Sequence, residues 1–174
     1  MINLRGDRVV LRAVEPEDID LMYGVENDLH NWSVSGTNMP FSRYILEQFV
    51  EVQRSDIFVS RQLRLMVEDL KGEVVGMVDL FEIDPYNHRA GVGILIFDSF
   101  RRLGYGVDVL RRLHLYCRGE LQLHQLWCDV GAENLASLKL FAKVGYTEVG
   151  RKRDWQYRDA KYQDEILLQK ILEV

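Results

Sequence analysis

Residues 94–106 read Ile94-Leu95-Ile96-Phe97-Asp98-Ser99-Phe100-Arg101-Arg102-Leu103-Gly104-Tyr105-Gly106, an apolar run that gives way to two arginines and two glycines. Behind it, Val107, Leu110, Leu113 and Cys117 recur at helical spacing to about residue 118, and Gly119 is placed as a cap. The segment therefore reads as a strand, a glycine-bearing turn and a helix. Such a turn brings backbone N–H groups close to an anion with no Cβ in the way. The helix start adds partial positive charge, and Arg101 and Arg102 add full charges. Arg101-x-x-Gly104-x-Gly106 thus has the chemistry of a phosphate or pyrophosphate cradle. It equally fits a helix start whose glycines serve packing and whose arginines are solvated. The GxxxxGK[ST] of a P-loop and the GxGxxG of a dinucleotide-binding turn are both absent.

Outward from this segment the chain alternates between helical and strand-like spacing. Residues 9–14 predict a first strand, and Glu15-Pro16-Glu17-Asp18 opens a helix with Pro and acids in its first turn. Residues 27–40 are polar and Gly-containing and read as a loop. Ser42 starts a second helix that runs to about residue 54, with Ile45, Leu46, Phe49 and Val50 as its apolar stripe. Residues 64–69 and 73–83 are strands joined by a Lys71-Gly72 turn, and 88–97 is the next strand. Gly91 and Gly93 inside it imply a bulge or a close backbone approach. Residues 126–130 form a strand, Asn134 caps a helix ending at Gly145, and strands at 146–157 and 162–172 close the chain. The order β-α-α-β-β-β-α-β-α-β-β, with no repeat or linker, predicts one mixed α/β domain over residues 1–174.

Composition narrows the function classes. Of 174 residues, 47% are hydrophobic, which supports a full core and excludes long disorder as the main feature. A net charge of -5 argues against a general nucleic-acid binder. Cys117 and Cys128 have no metal-ligand or CxxC spacing and read as buried free thiols of a reduced compartment. The start at Met1 carries no signal-like apolar run, and no stretch approaches the roughly 18 apolar residues of a membrane helix. The expectation is a cytoplasmic protein with no membrane partner. His30, His88, His114 and His124 form no metal set, and no GxSxG nucleophile motif is present.

The turn has a companion downstream, Asn134-x-x-Ser137-x-x-Leu140-Phe141-x-Lys143-x-Gly145-Tyr146. The first motif resembles the [RQ]xxGx[GA] pyrophosphate loop of the GNAT acetyltransferases, and the second resembles that family's NxxSxxLYxKxGF signature. Both occur in the family's order with a strand between them. The end of the chain, residues 150–172, resembles the closing hairpin of the spermidine and ribosomal-protein acetyltransferase branches. The resemblance implies the GNAT fold, a mixed central β-sheet splayed at the acetyl-CoA site and flanked by helices. It implies acetyl-CoA as co-substrate, with no metal. Ile94 and Ile96 then offer backbone groups to the pantetheine arm, which binds like an added strand, and Leu95 between them also belongs to the cofactor-binding set. Arg101, Arg102, Leu103, Gly104, Tyr105 and Gly106 hold the pyrophosphate, while Asn134 and Ser137 contact the cofactor where the neighbouring strand splays away. Asn134 is also placed to cap its helix, and the two roles are compatible.

The sequence departs from the family at Phe141, where members often carry a Tyr assigned as the acid for the leaving thiolate. Three readings follow: protonation by water or another group, unassisted departure of the thiolate, or a catalytically silent acyl-CoA-binding module. Catalysis also needs a proton acceptor, since an amine with a pKa near about 10.4 is only roughly 0.04% neutral at pH 7. Asp79, Glu82 and Asp84 end the third long strand, and Glu82 is the preferred base. Period-two alternation puts Glu82 and Asp84 on one face and Asp79 on the other. The polyamine branch carries acids between its first two helices, but Ser33-Val34-Ser35-Gly36-Thr37-Asn38-Met39 has none. Trp32, Phe41, Tyr44 and Trp155 either line an acceptor pocket or belong to the core. Arg151, Lys152, Arg153, Arg158 and Lys161 either face an acidic partner or form a solvated strand face. The expected reaction is direct attack by a primary amine of a small molecule, polyamine or peptide, in a protein that can form homo-oligomers.

Overall fold

The structure, a computed structural model, describes residues 4–35 and 37–173. Alternating apolar residues build seven strands: β1 (Val9–Ala13), β2 (Leu63–Asp69), β3 (Val74–Asp84), β4 (Arg89–Ile96), β5 (Gln125–Gly131), β6 (Thr147–Arg158) and β7 (Lys161–Ile171). They form one sheet in the order β1-β2-β3-β4-β5-β7-β6. Every pairing is antiparallel except β4 with β5. The helices are α1 (Ile19–Glu26), α2 (Leu29–Ser35), α3 (Arg43–Val52), α4 (Ile57–Ser60), α5 (Tyr105–Gly119) and α6 (Leu135–Lys143).

Each face of the sheet buries its own core. On one face Val109, Leu110, Leu113 and Cys117 of α5 and Phe141 of α6 pack on Val78, Leu80, Leu126 and Cys128. On the other, Met22 of α1 and Leu46 and Val50 of α3 pack on Met66 and Met77. A two-faced sheet of this kind accounts for the nearly unbroken apolar runs of β2 and β3.

β4 and β5 are joined only over Arg89–Gly91 and Gln125–Trp127. β4 stays paired with β3 as far as Ile96, while β5 turns toward β7, so the sheet splays from Val92 onward. The predicted mixed and splayed sheet is present.

Three local expectations are corrected, and one open alternative is decided. Residues 27–40 contain α2, held by tertiary bonds: Trp32 Nε1 donates to Glu26 O at 2.7 Å and Asn31 Nδ2 to Val25 O at 3.1 Å. Gly119 is the last helical residue of α5, and Glu120 ends the helix with right-handed backbone, so no glycine cap forms. The bulge lies on β3, between Phe81 and Asp84, where Glu82 has φ +48. Gly91 on β4 is instead a close approach, because a Cβ there would overlap the Phe81 ring. Finally, Asp84 is not on the face opposite Asp79: the bulge adds a residue after Phe81, so Asp79, Phe81 and Asp84 oppose Gly93, Gly91 and Arg89 and share one face, and Glu82 lines a cavity with Phe81 and Asp84.

Candidate active site

The end of β4 sits where backbone chemistry is unfinished. Ile94, Leu95 and Ile96 pair with β3 on one side, and on the other the ladder has stopped at Gly91. Their outward N–H and C=O groups, apart from Ile96 O, which accepts from Arg101 Nε, form a strand edge half-buried inside the molecule. Such groups need a partner, and an extended arm laid against them supplies one.

Beyond Ile96 the chain makes a 3-10 turn, Asp98–Phe100, and enters α5 through Gly104 at φ +86, with no side chain capping the helix. The first N–H groups of α5 thus have no intrahelical acceptor and present an anion site. Arg101 is not a free cation of this turn. Its Nε donates to Ile96 O at 3.0 Å and its guanidinium pairs with Asp98 at 2.8 Å, so it holds the shape of the turn. Arg102 takes left-handed backbone at φ +62 and is exposed, as is Leu103. Tyr105 packs edge-on to Phe100 at 6.3 Å between centroids. Gly106 is small for a packing reason: a Cβ there would stand 3.0 Å from Leu140 of α6. The open strand edge, the uncapped helix and the exposed basic turn together fit an arm that ends in phosphate.

The splay opens into a groove of about 590 Å³, within the range of small-ligand sites. Ile94 and Leu95 of β4 line it together with Asn134, Ser137 and Phe141 of the downstream motif, whereas the turn from Arg101 to Gly106 lies outside its lining. Asn134 Oδ1 accepts from Ser137 N at 3.1 Å, which caps α6. Phe141 is 3% exposed and packs edge-on against Tyr146 at 4.9 Å between centroids. The Tyr146 hydroxyl meets His114 Nε2 at 3.3 Å and does not line the groove, so it does not replace the missing Tyr at Phe141. Cys128 also lines the groove as a free thiol that burial pushes up to about 12. A thiol that far above neutrality is not a nucleophile at pH 7.

The polar wall of the groove went largely unread in the sequence. Arg64 of β2 binds both Asp79 of β3 and Glu26 of α1. Glu165 of β7 is held by Lys152 Nζ at 3.0 Å and by Gln156. Lys152 also donates to Asp129 Oδ2 at 2.7 Å. Asp129 Oδ1 and Gln156 Oε1 are buried with no hydrogen-bond partner among the described residues. The only signal for Asp129 was one acid inside the apolar run Leu126-Trp127-Cys128-Asp129-Val130.

Glu82 is elsewhere. With Asp84, Arg89 and Trp127 it lines an adjoining cavity of about 920 Å³ on the same sheet face. The two cavities share Phe81 and Asp129. Of the aromatic candidates, Phe41 lines the groove, whereas Tyr44 and Trp155 are 64% and 62% exposed. Of the basic run, Arg158 reaches the groove, while Arg151 and Lys161 pair with Asp164 and Glu133. In the acid-free inter-helix stretch Thr37 lines the groove, and residue 36 lies outside the described residues.

Residues 8–147 match the acetyltransferase (GNAT) domain family. The spermidine N(1)-acetyltransferase of Vibrio cholerae serotype O1 is 24% identical over 159 residues, covering 91% of this chain and 90% of its own length. A Bacillus subtilis protein named for ribosomal N-acetylation is 28% identical over 93 residues, 53% of this chain and 51% of its own. The solved structure of the Vibrio cholerae spermidine N-acetyltransferase in complex with CoA and spermine superposes with a TM-score of 0.86 at 24% identity, covering 94% of this chain and 95% of that one. No described helix is long and apolar enough to cross a membrane. With a family match over most of its length and a splayed sheet that ends in an uncapped, basic turn, the chain belongs to the GNAT acetyltransferases and uses acetyl-CoA as its co-substrate.

Proposed function

We propose that this protein transfers the acetyl group of acetyl-CoA to one primary amine of a small molecule or peptide, by direct attack. The observation that carries the reading is the unpaired edge of β4 opening onto the same groove as Asp79, Asp129 and Glu165. Residues Ile94, Leu95 and Ile96 bind the arm, and the turn from Arg101 to Gly106, with Asn134 and Ser137, holds the rest of the co-substrate. Bound there, it supplies an acetyl thioester already activated for attack.

The chain's own residues orient the amine and take its proton. Four carboxylates (Glu26, Asp79, Asp129 and Glu165) meet three cations (Arg64, Arg158 and Lys152) around the groove. That balance attracts one ammonium group and leaves little for the remaining charges of a long polyamine. Asp79 is closed by Arg64, and Glu165 is held by Lys152 and Gln156. We place Asp129 first as proton acceptor, because its Oδ1 has no donor and it lines both cavities. Glu82 comes second, acting through water from the adjoining cavity. Phe141 shapes the pocket, and water protonates the departing thiolate.

Two buried free thiols support a reduced, cytoplasmic setting. A homo-oligomer is supported by a Vibrio cholerae relative described as dodecameric and by the exposed Trp155, Tyr157 and Tyr162 of the β6–β7 hairpin. The test is mass spectrometry of acceptors after incubation with acetyl-CoA. An acetylated monoamine or peptide N-terminus supports the reading; an unmodified panel with bound CoA overturns it.

A further inference from the structure

Arg8, just ahead of β1, lies outside both sequence motifs, yet it is built into the turn that leads into α5. Its backbone N–H donates to Asp108 Oδ2 at 2.7 Å, and the N–H of Val9 donates to the same oxygen at 3.1 Å. Asp108 belongs to the start of α5, so this clip fixes Arg8 to that helix across 100 residues of sequence. The side chain then runs over the turn. Its Nη1 donates to Leu103 O at 3.2 Å, and a Cβ placed on Gly104 would lie 3.6 Å from its Nε. The guanidinium is exposed and has no carboxylate partner among the described residues. Arg101, by contrast, is already paired with Asp98.

A guanidinium carries five donors, and Leu103 O takes one. The guanidinium lies against Gly104, which opens α5, and no side chain caps the start of that helix. We infer that Arg8 is a phosphate-binding residue of the co-substrate site, supplying from just ahead of β1 an unpaired cation where Arg101 is already paired. The inference rests on the reading of the 101–106 turn as the anion cradle. The ligand chemistry is a phosphate of CoA, from either the pyrophosphate or the 3′-phosphate. The Asp108 clip is the positioning element.

Calorimetric titration with CoA tests this without turnover. Arg8→Gln weakens CoA binding about tenfold, as expected for loss of a hydrogen bond between charged groups, and the difference shrinks in high salt. Arg8→Lys, which keeps the charge, falls between. If the loss persists with 3′-dephospho-CoA, Arg8 binds the pyrophosphate; if it disappears, Arg8 binds the 3′-phosphate. Wild-type affinity in Arg8→Gln overturns the proposal, as does equal weakening of CoA and phosphate-free pantetheine, which would make Arg8 a tether only. Gly104→Asp separates the two readings. If it abolishes binding while Arg8→Gln changes nothing, the cradle stands and Arg8 is excluded; if Gly104→Asp also binds normally, the cradle reading has failed.

Discussion

Arg64 grips Asp79 with a two-pronged fork, Nε to Oδ1 and Nη2 to Oδ2, each at 2.7 Å. A third contact runs from Nη1 to Glu26 Oε1 at 2.5 Å, and the guanidinium lies 5.0 Å from the Phe49 ring centroid. The Arg64 and Glu26 side chains are only 14% and 13% exposed. One residue thus joins α1, α3, β2 and β3 at the back of the groove.

Removing that cation leaves two carboxylates facing each other with little water. Arg64→Met is expected to destabilise the fold by about 3 kcal/mol. The double variant Arg64→Met/Asp79→Asn recovers part of the loss, because the pair is coupled. Urea unfolding midpoints at constant slope measure both. An unchanged midpoint in Arg64→Met contradicts the account.

Proton removal separates Asp129 from Glu82. Asp129→Asn keeps the shape and is expected to lower kcat by about 10²–10⁴-fold, the usual range for a general base. Glu82→Gln loses less, mainly in KM, and the loss shrinks with salt, as for a charge that attracts the amine from the adjoining cavity. Full activity in Asp129→Asn with a kcat defect in Glu82→Gln reverses the assignment.

The thiolate end is tested at Phe141 and Cys128. Phe141→Leu lowers activity modestly through pocket shape, and Phe141→Tyr leaves turnover unchanged or raises it. Cys128→Ala stays active, because a thiol held up to about 12 takes no covalent part. A trapped acetyl-Cys128 in a rapid quench would overturn direct attack. Turnover appearing only in Phe141→Tyr would mean that the native chain binds acetyl-CoA without using it.

His114 gives the fold a pH signature. Burial, with help from Lys170, lowers its pKa from 6.5 to about 3. The folded state therefore keeps the ring neutral, while the unfolded chain takes up a proton once pH falls below about 6.5. The contribution of His114 to stability falls as pH drops from about 6.5 toward 3, by at most about 1.4 kcal/mol per pH unit. His114→Gln should lose less stability than wild type between pH 7.5 and 5. Parallel pH dependences in the two proteins would contradict a neutral buried imidazole.

The glycine-bearing turn and the cap were legible because they are local. Arg101, Gly104, Gly106, Asn134 and Ser137 lie within short, punctuated stretches whose geometry depends on near neighbours. The polar wall was not, since Arg64 finds Asp79 and Glu26 at 15 and 38 residues' separation, and only the folded sheet joins them. Glu82 was misplaced because strict alternation fails where its backbone turns to φ +48, a conformation that a Glu does not advertise. The helix α2 was missed because Leu29-His30-Asn31-Trp32-Ser33-Val34-Ser35 has poor helix propensity and is held by Trp32 and Asn31 bonds to α1.

Transfer to a single primary amine from the splayed groove can be measured directly. The most direct measurement is release of free CoA thiol from acetyl-CoA across a panel of monoamines, N-terminal peptides and spermine, with wild-type protein and Asp129→Asn. Release is expected to be faster with a monoamine or a peptide than with spermine, and to be lost in Asp129→Asn. Spermine as the best acceptor with Asp129→Asn fully active, or no release with any amine although CoA binds, would contradict it.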